Sequence, residues 1–460
     1  MAMGLRRALG SDPYLVIDQR SSESFRSWGF YDESMESRPK ILISSGFGYG
    51  NVGDEAQVGA CATRWLLVCP NAIITLLSPN PPYTAALHPY RVEWAPRVAW
   101  FRSNTVGPYF DSSGFTSYWK RLRIRLEITA RCLRGDLPFS LCTPREARIL
   151  QLIQEHDIIH ISGGGFLTGK TRSRLWDNCL LMRMCQILEK PYFLTGHNIG
   201  VFQDPQDRKI AVMGLSKAMS IGLRDKGLSE AELFEIGIGG HHVYSTCDDA
   251  LLCERLNHDT IAGLLAAQGV DPSKPWAPVN FHHWGQKEEE KGRIEDRFAE
   301  ICDHLVSAHG LQVVLISMTP SDFEPELNIL RKMKQPAVQF PYSPDYRVVR
   351  GIIADASLVF TMKHHPIVFA QGEIVPVVSV ALDDYYLHKN RGALENTGHG
   401  RFVVDHQSFF APAIFDLIRD CLSDAEIIRV EMRQWVDGMR AIELKPYENA
   451  LSFLNHQASK

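Results

Sequence analysis

The sequence predicts an α/β protein built from two Rossmann-like, doubly wound parallel-sheet domains that face a central cleft. Three observations lead there. Short, continuously apolar runs such as Lys40-Ile41-Leu42-Ile43-Ser44 recur along the chain, which suits strands buried on both faces. Helical periodicities lie between them, giving strand–helix–strand units. The alternation stops at a proline-rich stretch, Asp271-Pro272-Ser273-Lys274-Pro275-Trp276-Ala277-Pro278, and begins again beyond it. A length of 460 residues accommodates two or three domains. The expected division is an extension at 1–38, a first domain at 39–255, a second at 270–400 and a helical segment at 401–460.

In chain order, residues 1–38 are polar and aperiodic. Lys40–Ser44 reads as the first strand, followed by a glycine-rich turn and a helix through Trp65-Leu66-Leu67. Ala72–Leu77 is a second strand, stopped by Ser78-Pro79-Asn80-Pro81-Pro82. The segment from Trp119 to Leu152 is expected to be helical. It opens with a basic run, Trp119–Leu126, which reads as a solvated face or as a contact for an anionic or lipid-linked substrate. A strand at 157–161 leads into Gly163-Gly164-Gly165, a helix at 173–189, and a strand at 191–195 ending in Gly196-His197-Asn198. A helix at about 207–219 and a strand at 220–225 with the polar tip Arg224-Asp225 come next, and Cys247-Asp248-Asp249-Ala250 closes the half. The second series has strands at 279–281, 311–316, 357–360 and 375–380, with helices at about 290–308, 322–334, 345–354 and 365–371. Facing sheets of this kind bind ligands in the crevice at the carboxyl ends of their strands.

Composition excludes several classes. The formal net charge of −4 argues against a general nucleic-acid binder, which needs a cationic surface. No run of about 18 apolar residues occurs, and the N-terminus lacks the apolar core of a secretory signal. The ten cysteines are scattered without a C-x-x-C pair, as expected of buried thiols in a reducing, cytoplasmic setting.

Three motifs carry candidate chemistry. Gly46–Ala56 follows a strand and opens a helix. Gly50 and Asn51 there let the backbone approach a ligand, and Gly48-x-Gly50-x-x-Gly53 fits a dinucleotide fingerprint. The next strand lacks the acidic residue that would hold a ribose, and Asp54 and Glu55 would repel a pyrophosphate. Gly164–Thr171 satisfies the P-loop expression, but no apolar strand ending in aspartate accompanies it. The alternative is that Gly163, Gly164 and Gly165 form a glycine-rich strand end lining the cleft. Thr361-Met362-Lys363-His364-His365 places a lysine and two histidines at the carboxyl end of a strand. The pairs His241-His242 and His282-His283 do not read as a metal site, because adjacent strand residues point to opposite faces. His197, His282, His283 and Lys389 sit at predicted strand ends or cleft loops and are pocket candidates.

Together these blocks resemble the polysaccharide pyruvyl transferases from about Ile41 to about Gly400. The matching blocks are the turn at 48–56, Asp157 with Ser162–Gly165, Thr195–Gly200, Leu223-Arg224-Asp225 with Ser229, Asp248-Asp249-Ala250, and Met362–His365 with Phe369-Ala370, Tyr385, Tyr386 and Lys389. The resemblance implies a fold similar to the GT-B glycosyltransferases. It also implies transfer of a pyruvyl group from phosphoenolpyruvate to two sugar hydroxyls as a ketal, with no metal or other cofactor. Arg224 and His365 match family residues that serve the donor, while Lys363 stands where the family usually has arginine and loses the two-pronged fit. The expected roles are Arg224 and Lys363 for donor charge, amides of Gly163–Gly165 for the anion, His365 as acid and Asp54 for the acceptor hydroxyl. The expected partner is a sugar or glycan, with a lipid-linked acceptor and peripheral membrane contact left open. The rival expectations are a nucleotide-sugar-dependent glycosyltransferase and a non-catalytic binding protein on the same fold.

Overall fold

Among the described residues, fourteen strands arranged in two sheets place the carboxyl ends of their strands toward one another. The computed structural model describes residues 38–96, 127–128, 130–132, 134–141, 144–225, 227–240, 242–283 and 286–458. The basic run Trp119–Leu126 and all of the expected extension but Arg38 lie outside these residues.

The first sheet holds β1 (Lys40–Ser44), β2 (Ile73–Ser78), β3 (Arg91–Trp94), β4 (Ile158–Ile161), β5 (Gly164–Leu167), β6 (Tyr192–Ile199), β7 (Ile221–Leu223) and β8 (Val243–Ser245). Its order is β3-β2-β1-β4-β6-β7-β8, with β5 also pairing β6. The second sheet holds β9 (Trp276–Asn280), β10 (Gln312–Leu315), β11 (Ala337–Gln339), β12 (Val359–Thr361), β13 (Val377–Val380) and β14 (Val403–Val404), in the order β11-β10-β9-β12-β13-β14. Every pairing in both sheets is parallel. Both sheets therefore reverse their winding direction between the third and fourth strands of the order, β1/β4 in one and β9/β12 in the other. Ligands bind at such switch points, outside the carboxyl ends of the strands.

The interior strands are the ones the apolar runs predict: Ile41, Leu42 and Ile43 are fully buried, as are Val314, Leu315 and Phe360. Strands β3, β8, β11 and β14 are absent from the sequence reading. The first three are short edge strands with part-exposed residues, and β14 has only two residues, so none carries an apolar run long enough to register. The expected helix at Trp119–Leu152 also needs correction. Residues 127–128 and 130–132 are helical as expected, but the chain turns at 134–137 and a separate helix follows at Pro144–Glu155. The P-loop reading fails on geometry, because Gly164–Leu167 is a strand paired with β6 and not a loop. It extends β4 beyond a break at Ser162-Gly163, as the strand-end alternative anticipates.

Residues Pro39–Lys460 form one compact body. The final helix, Lys445–Ala458, packs on the first sheet although it follows the second. Tyr447 is 1% exposed and sits edge-on to Trp65, with ring centroids 5.4 Å apart. Arg64 Nε donates to Glu443 Oε2 at 2.8 Å. Across the crevice Val52 N donates to Met318 O and Tyr342 Oη to Gly50 O, each at 2.9 Å. No described helix is long and apolar enough to cross a membrane.

Candidate active site

The turn after β1 is closed on itself. Asn51 caps the helix Val52–Val68, its Oδ1 accepting from Gly53 N at 3.1 Å. Glu55 accepts from Gly48 N at 2.8 Å and lies 3.0 Å from His88 Nε2. The amide that would meet a pyrophosphate is thus used by a carboxylate of the same motif, which removes the dinucleotide reading. Gly50 offers its carbonyl to Tyr342. Asp54, in the first turn, is 9% exposed and makes no hydrogen bond or ion pair among the described residues. A near-buried carboxylate left without a partner is costly unless a ligand or water serves it.

The helix His364–Gly372 of the second half meets this turn. A Cβ on Gly53 would lie 1.9 Å from the His365 ring, so glycine is what allows the imidazole to sit against the helix start. Burial pushes the His365 imidazole down to about 4, against the opposing pull of Asp248 and Asp54. It is therefore neutral at pH 7, and its Nε2 is buried without a hydrogen-bond partner.

Arg224 leaves the end of β7 and is 3% exposed. Its Nη1 is ion-paired with Asp248, and its Nε donates to Asn198 Oδ1 at 2.5 Å. Burial works to raise the Asp248 carboxyl, yet the Arg224 guanidinium, with His364 and His365, holds it well below the usual range. Gln57 Nε2 donates to both Asp248 oxygens at 3.1 Å, and His364 Nε2 lies 3.4 Å from Oδ2. Nη2 of Arg224 is buried and unpartnered. It points toward Gly165 in β5. A Cβ on Gly165 would stand 3.1 Å from that Nη2, 3.2 Å from Tyr385 Oη and 3.3 Å from Lys389 Nζ. An arginine, a lysine and a phenol, the last donating to Gly165 O at 3.2 Å, therefore converge on a niche that any side chain at 165 would obstruct. Tyr385 and Lys389 come from the helix Asp384–Glu395 after β13. Burial and the nearby Arg224 lower the Lys389 ammonium to about 7, with Asp54 and Asp248 pulling the other way.

Other expected site residues are placed differently. Lys363 caps the helix that starts at His364, but its Nζ is held by Asp322 at 2.6 and 2.7 Å and by Thr319 Oγ1 at 2.9 Å. Its charge is neutralised locally, against the free donor-binding cation anticipated at 363, whereas Lys389 Nζ has no acidic partner among the described residues. Gly163 N is also spent, donating to Asp249 Oδ2 at 2.6 Å, so this member of the expected amide nest at Gly163–Gly165 is not free. Gly164 pairs with His197 in the sheet. His197 lies under the niche, its Nε2 3.2 Å from Ile161 O, and burial lowers it to about 4. His282 is buried edge-on to Tyr386 at 5.1 Å, and burial holds it well below its ordinary value. His283 turns to the other face, 3.0 Å from Glu295.

Among the described residues one group, Cys61, His160 and Asp249, has the spacing of metal ligands. Both His160 nitrogens are occupied, Nε2 at 2.8 Å from Thr195 Oγ1 and Nδ1 accepting from Trp65 Nε1 at 3.3 Å, and Thr195 Oγ1 and Gly163 N both donate to Asp249 Oδ2. These are core polar groups satisfied by one another. The residues that the sequence reading did not assign are Tyr385, His364 and the anchors Asp248, Gln57 and Asn198. Tyr385, His364, Asp248 and Asn198 lie within the matching blocks without an assigned role, whereas Gln57 is one polar residue in a helix and carries no local signal.

The family model described as polysaccharide pyruvyl transferase matches residues 51–384. No curated protein matches the chain in sequence. Among solved structures the fold is similar to Anabaena Alr3699/HepE in complex with UDP, with a TM-score of 0.52 and 15% identity over 90% of this chain and 99% of that one. A glycosyltransferase from Rickettsia africae is similar too, with a TM-score of 0.51 and 12% identity over 91% and 98%. At such identities the likeness shows the fold, which is that of the GT-B glycosyltransferases.

Proposed function

The chain belongs to the polysaccharide pyruvyl transferase family, and from that premise we propose that it moves the pyruvyl group of phosphoenolpyruvate onto two hydroxyls of a sugar or glycan, forming a cyclic ketal. The observation that supports this best is the convergence of Arg224 Nη2, Lys389 Nζ and Tyr385 Oη beside Gly165. A small, highly charged donor with a carboxylate and a phosphate suits two cations and a phenol in a site shielded from water.

The chemistry follows from what each group can do there. Arg224 is held rigid by Asp248 and Asn198, which leaves one prong for the donor. Donor charge beside His365 favours its protonated form and reverses the effect of burial. The imidazolium then gives its proton to the methylene carbon, leaving an electron-poor carbon next to the phosphate ester oxygen. A sugar hydroxyl attacks that carbon and passes its proton to Asp54, the unpartnered carboxylate across the crevice. Asp54 hands that proton to the departing phosphate, which leaves as hydrogen phosphate, and a second hydroxyl closes the ketal at the same carbon while its proton returns to His365. Arg224 and Lys389 are aimed where charge collects on the leaving group.

Phosphate release with phosphoenolpyruvate and candidate glycans tests this reading. Arg224→Lys and His365→Gln are each expected to lower turnover by about a hundredfold or more while the protein stays folded. Stabilisation against heat by UDP, with none by phosphoenolpyruvate, would instead favour a nucleotide-sugar donor and sink the proposal.

A further inference from the structure

Beside the donor niche is a second concavity, at the carboxyl ends of β1 and β2. It is lined by Ser45, Tyr49, Pro79, Arg174, Asp177 and Asn178 among others. Residues 174, 177, 178 and 181 recur at helical spacing, so one face of the helix Arg172–Ile187 forms a wall. Its lining of hydroxyl, amide, carboxylate, guanidinium and half-exposed phenol matches a sugar better than an apolar ligand. Phe166 separates the two sites. Its ring would be 3.3 Å from a Cβ on Gly46, which lines the concavity, and the residue before it is Gly165.

The charge pattern of that helix start is unusual. Helix N-termini favour carboxylates, yet this one has no acidic residue in its first turn and carries Lys170, Arg172 and Arg174. Arg172 is neutralised by Asp204 and Asp207 at 2.6 and 2.8 Å. Lys170 and Arg174 have no acidic partner among the described residues. The Arg174 guanidinium lies 4.8 Å over the Tyr49 ring in the concavity. Lys170 Nζ lies 5.8 Å from the Tyr385 ring centroid, the same distance as Lys389 Nζ. Tyr385 thus has both lysines beside its ring, Lys170 from this helix start and Lys389 from the donor niche. Burial raises the Tyr385 phenol, and Arg224 and Arg174 oppose that shift, which places Arg174 within electrostatic reach of the niche.

We infer that this concavity is the acceptor subsite and that the acceptor is an anionic sugar, whose carboxylate or phosphate is held by Arg174 with Lys170 at the rim. The acceptor role rests on the pyruvyl-transfer reading. The ligand class rests on the polar concavity, whose lining also holds the Asp177 carboxylate, and on Arg174 and Lys170, which have no acidic partner among the described residues. A sugar anchored there by its charge would present ring hydroxyls past Phe166 toward the donor.

Saturation-transfer NMR on the full chain with methyl β-glucuronide, glucose 1-phosphate and methyl β-glucoside tests the inference without any turnover. Wild-type protein is expected to bind one or both anionic sugars at least about tenfold more tightly than the neutral glucoside, and less tightly as salt is raised. The stronger of the two anionic probes identifies a carboxylate or a phosphate as the recognised group. Arg174→Gln should remove that preference, Lys170→Gln should weaken it, and Arg174→Lys should keep part of it. Equal binding of all three sugars, binding of none, or an unchanged preference in Arg174→Gln and Lys170→Gln would overturn it. Lys389→Met separates the two readings. It should weaken phosphoenolpyruvate binding and leave the sugar preference intact, so loss of donor binding alone bears on the transfer reaction and not on this subsite.

Discussion

Lys389 is the group in the niche whose charge depends most on what fills it. Burial and Arg224 disfavour its charge and lower its ammonium from an ordinary 10.5 to about 7. A donor anion reverses that balance, so binding above pH 7 must draw a proton from solution. Donor affinity is expected to fall as pH rises through about 7. Calorimetry at pH 8 in buffers of different ionisation enthalpy should show net proton uptake. Lys389→Arg should flatten the decline, since a guanidinium stays charged. The same shift bears on stability, with the opposite sign to a salt-bridged lysine. The unfolded chain binds more protons than the folded one between about 7 and 10.5 at Lys389, and between about 4 and 6.5 at His365, so stability rises with pH across both windows.

Two helix starts, Val52–Val68 and His364–Gly372, define how closely the halves approach. The contact point is Gly53 against the His365 ring. Gly53→Ala is expected to destabilise the protein by about 1–3 kcal/mol, because an added methyl cannot coexist with the imidazole, and to reduce activity by displacing it. Gly263, inside the helix His258–Ala267 with nothing within 4 Å of its Cβ position, is the matched control. There alanine should stabilise by about 0.4–1 kcal/mol and leave activity unchanged. Thermal unfolding of the two variants checks both signs. Activity unaffected in Gly53→Ala would show that His365 need not sit where it does.

At the scale of the molecule, the chain returns to its beginning. The helix Lys445–Ala458 covers Trp65 and the outer face of the first sheet, with Tyr447, Ala450 and Leu454 in the same buried cluster as Ile41 and Ile43. Arg64 ties Glu443 to the backbone of Asp249, next to the carboxylate that anchors Arg224. A chain ending at Leu444 should therefore lose several kcal/mol through exposure of Trp65 and loss of Tyr447, with the added amide exchange concentrated in β1 and β2. The full chain should unfold in one calorimetric transition, because the crevice bonds and this helix bind both sheets into one unit. Two separate transitions, or an undiminished melting point in the shortened chain, would contradict this.

Parallel strands such as Lys40–Ser44 and Val377–Val380 were legible because burial on both faces demands an unbroken apolar run, and the motif blocks at 48–56, 223–225 and 362–365 were legible because such residues cluster at strand ends. Edge strands, the closure of the glycine turn on Glu55, and the return of the last helix left no such trace. Local sequence determined the two-sheet architecture, the family and the positions of Arg224 and His365 at strand ends. Only the tertiary structure decided which charges are free: Lys363 is neutralised by Asp322, 41 residues away, while Lys389 and one prong of Arg224 are left to face the niche. An ion pair between distant segments is a property of how they pack, and no pattern within either segment encodes it.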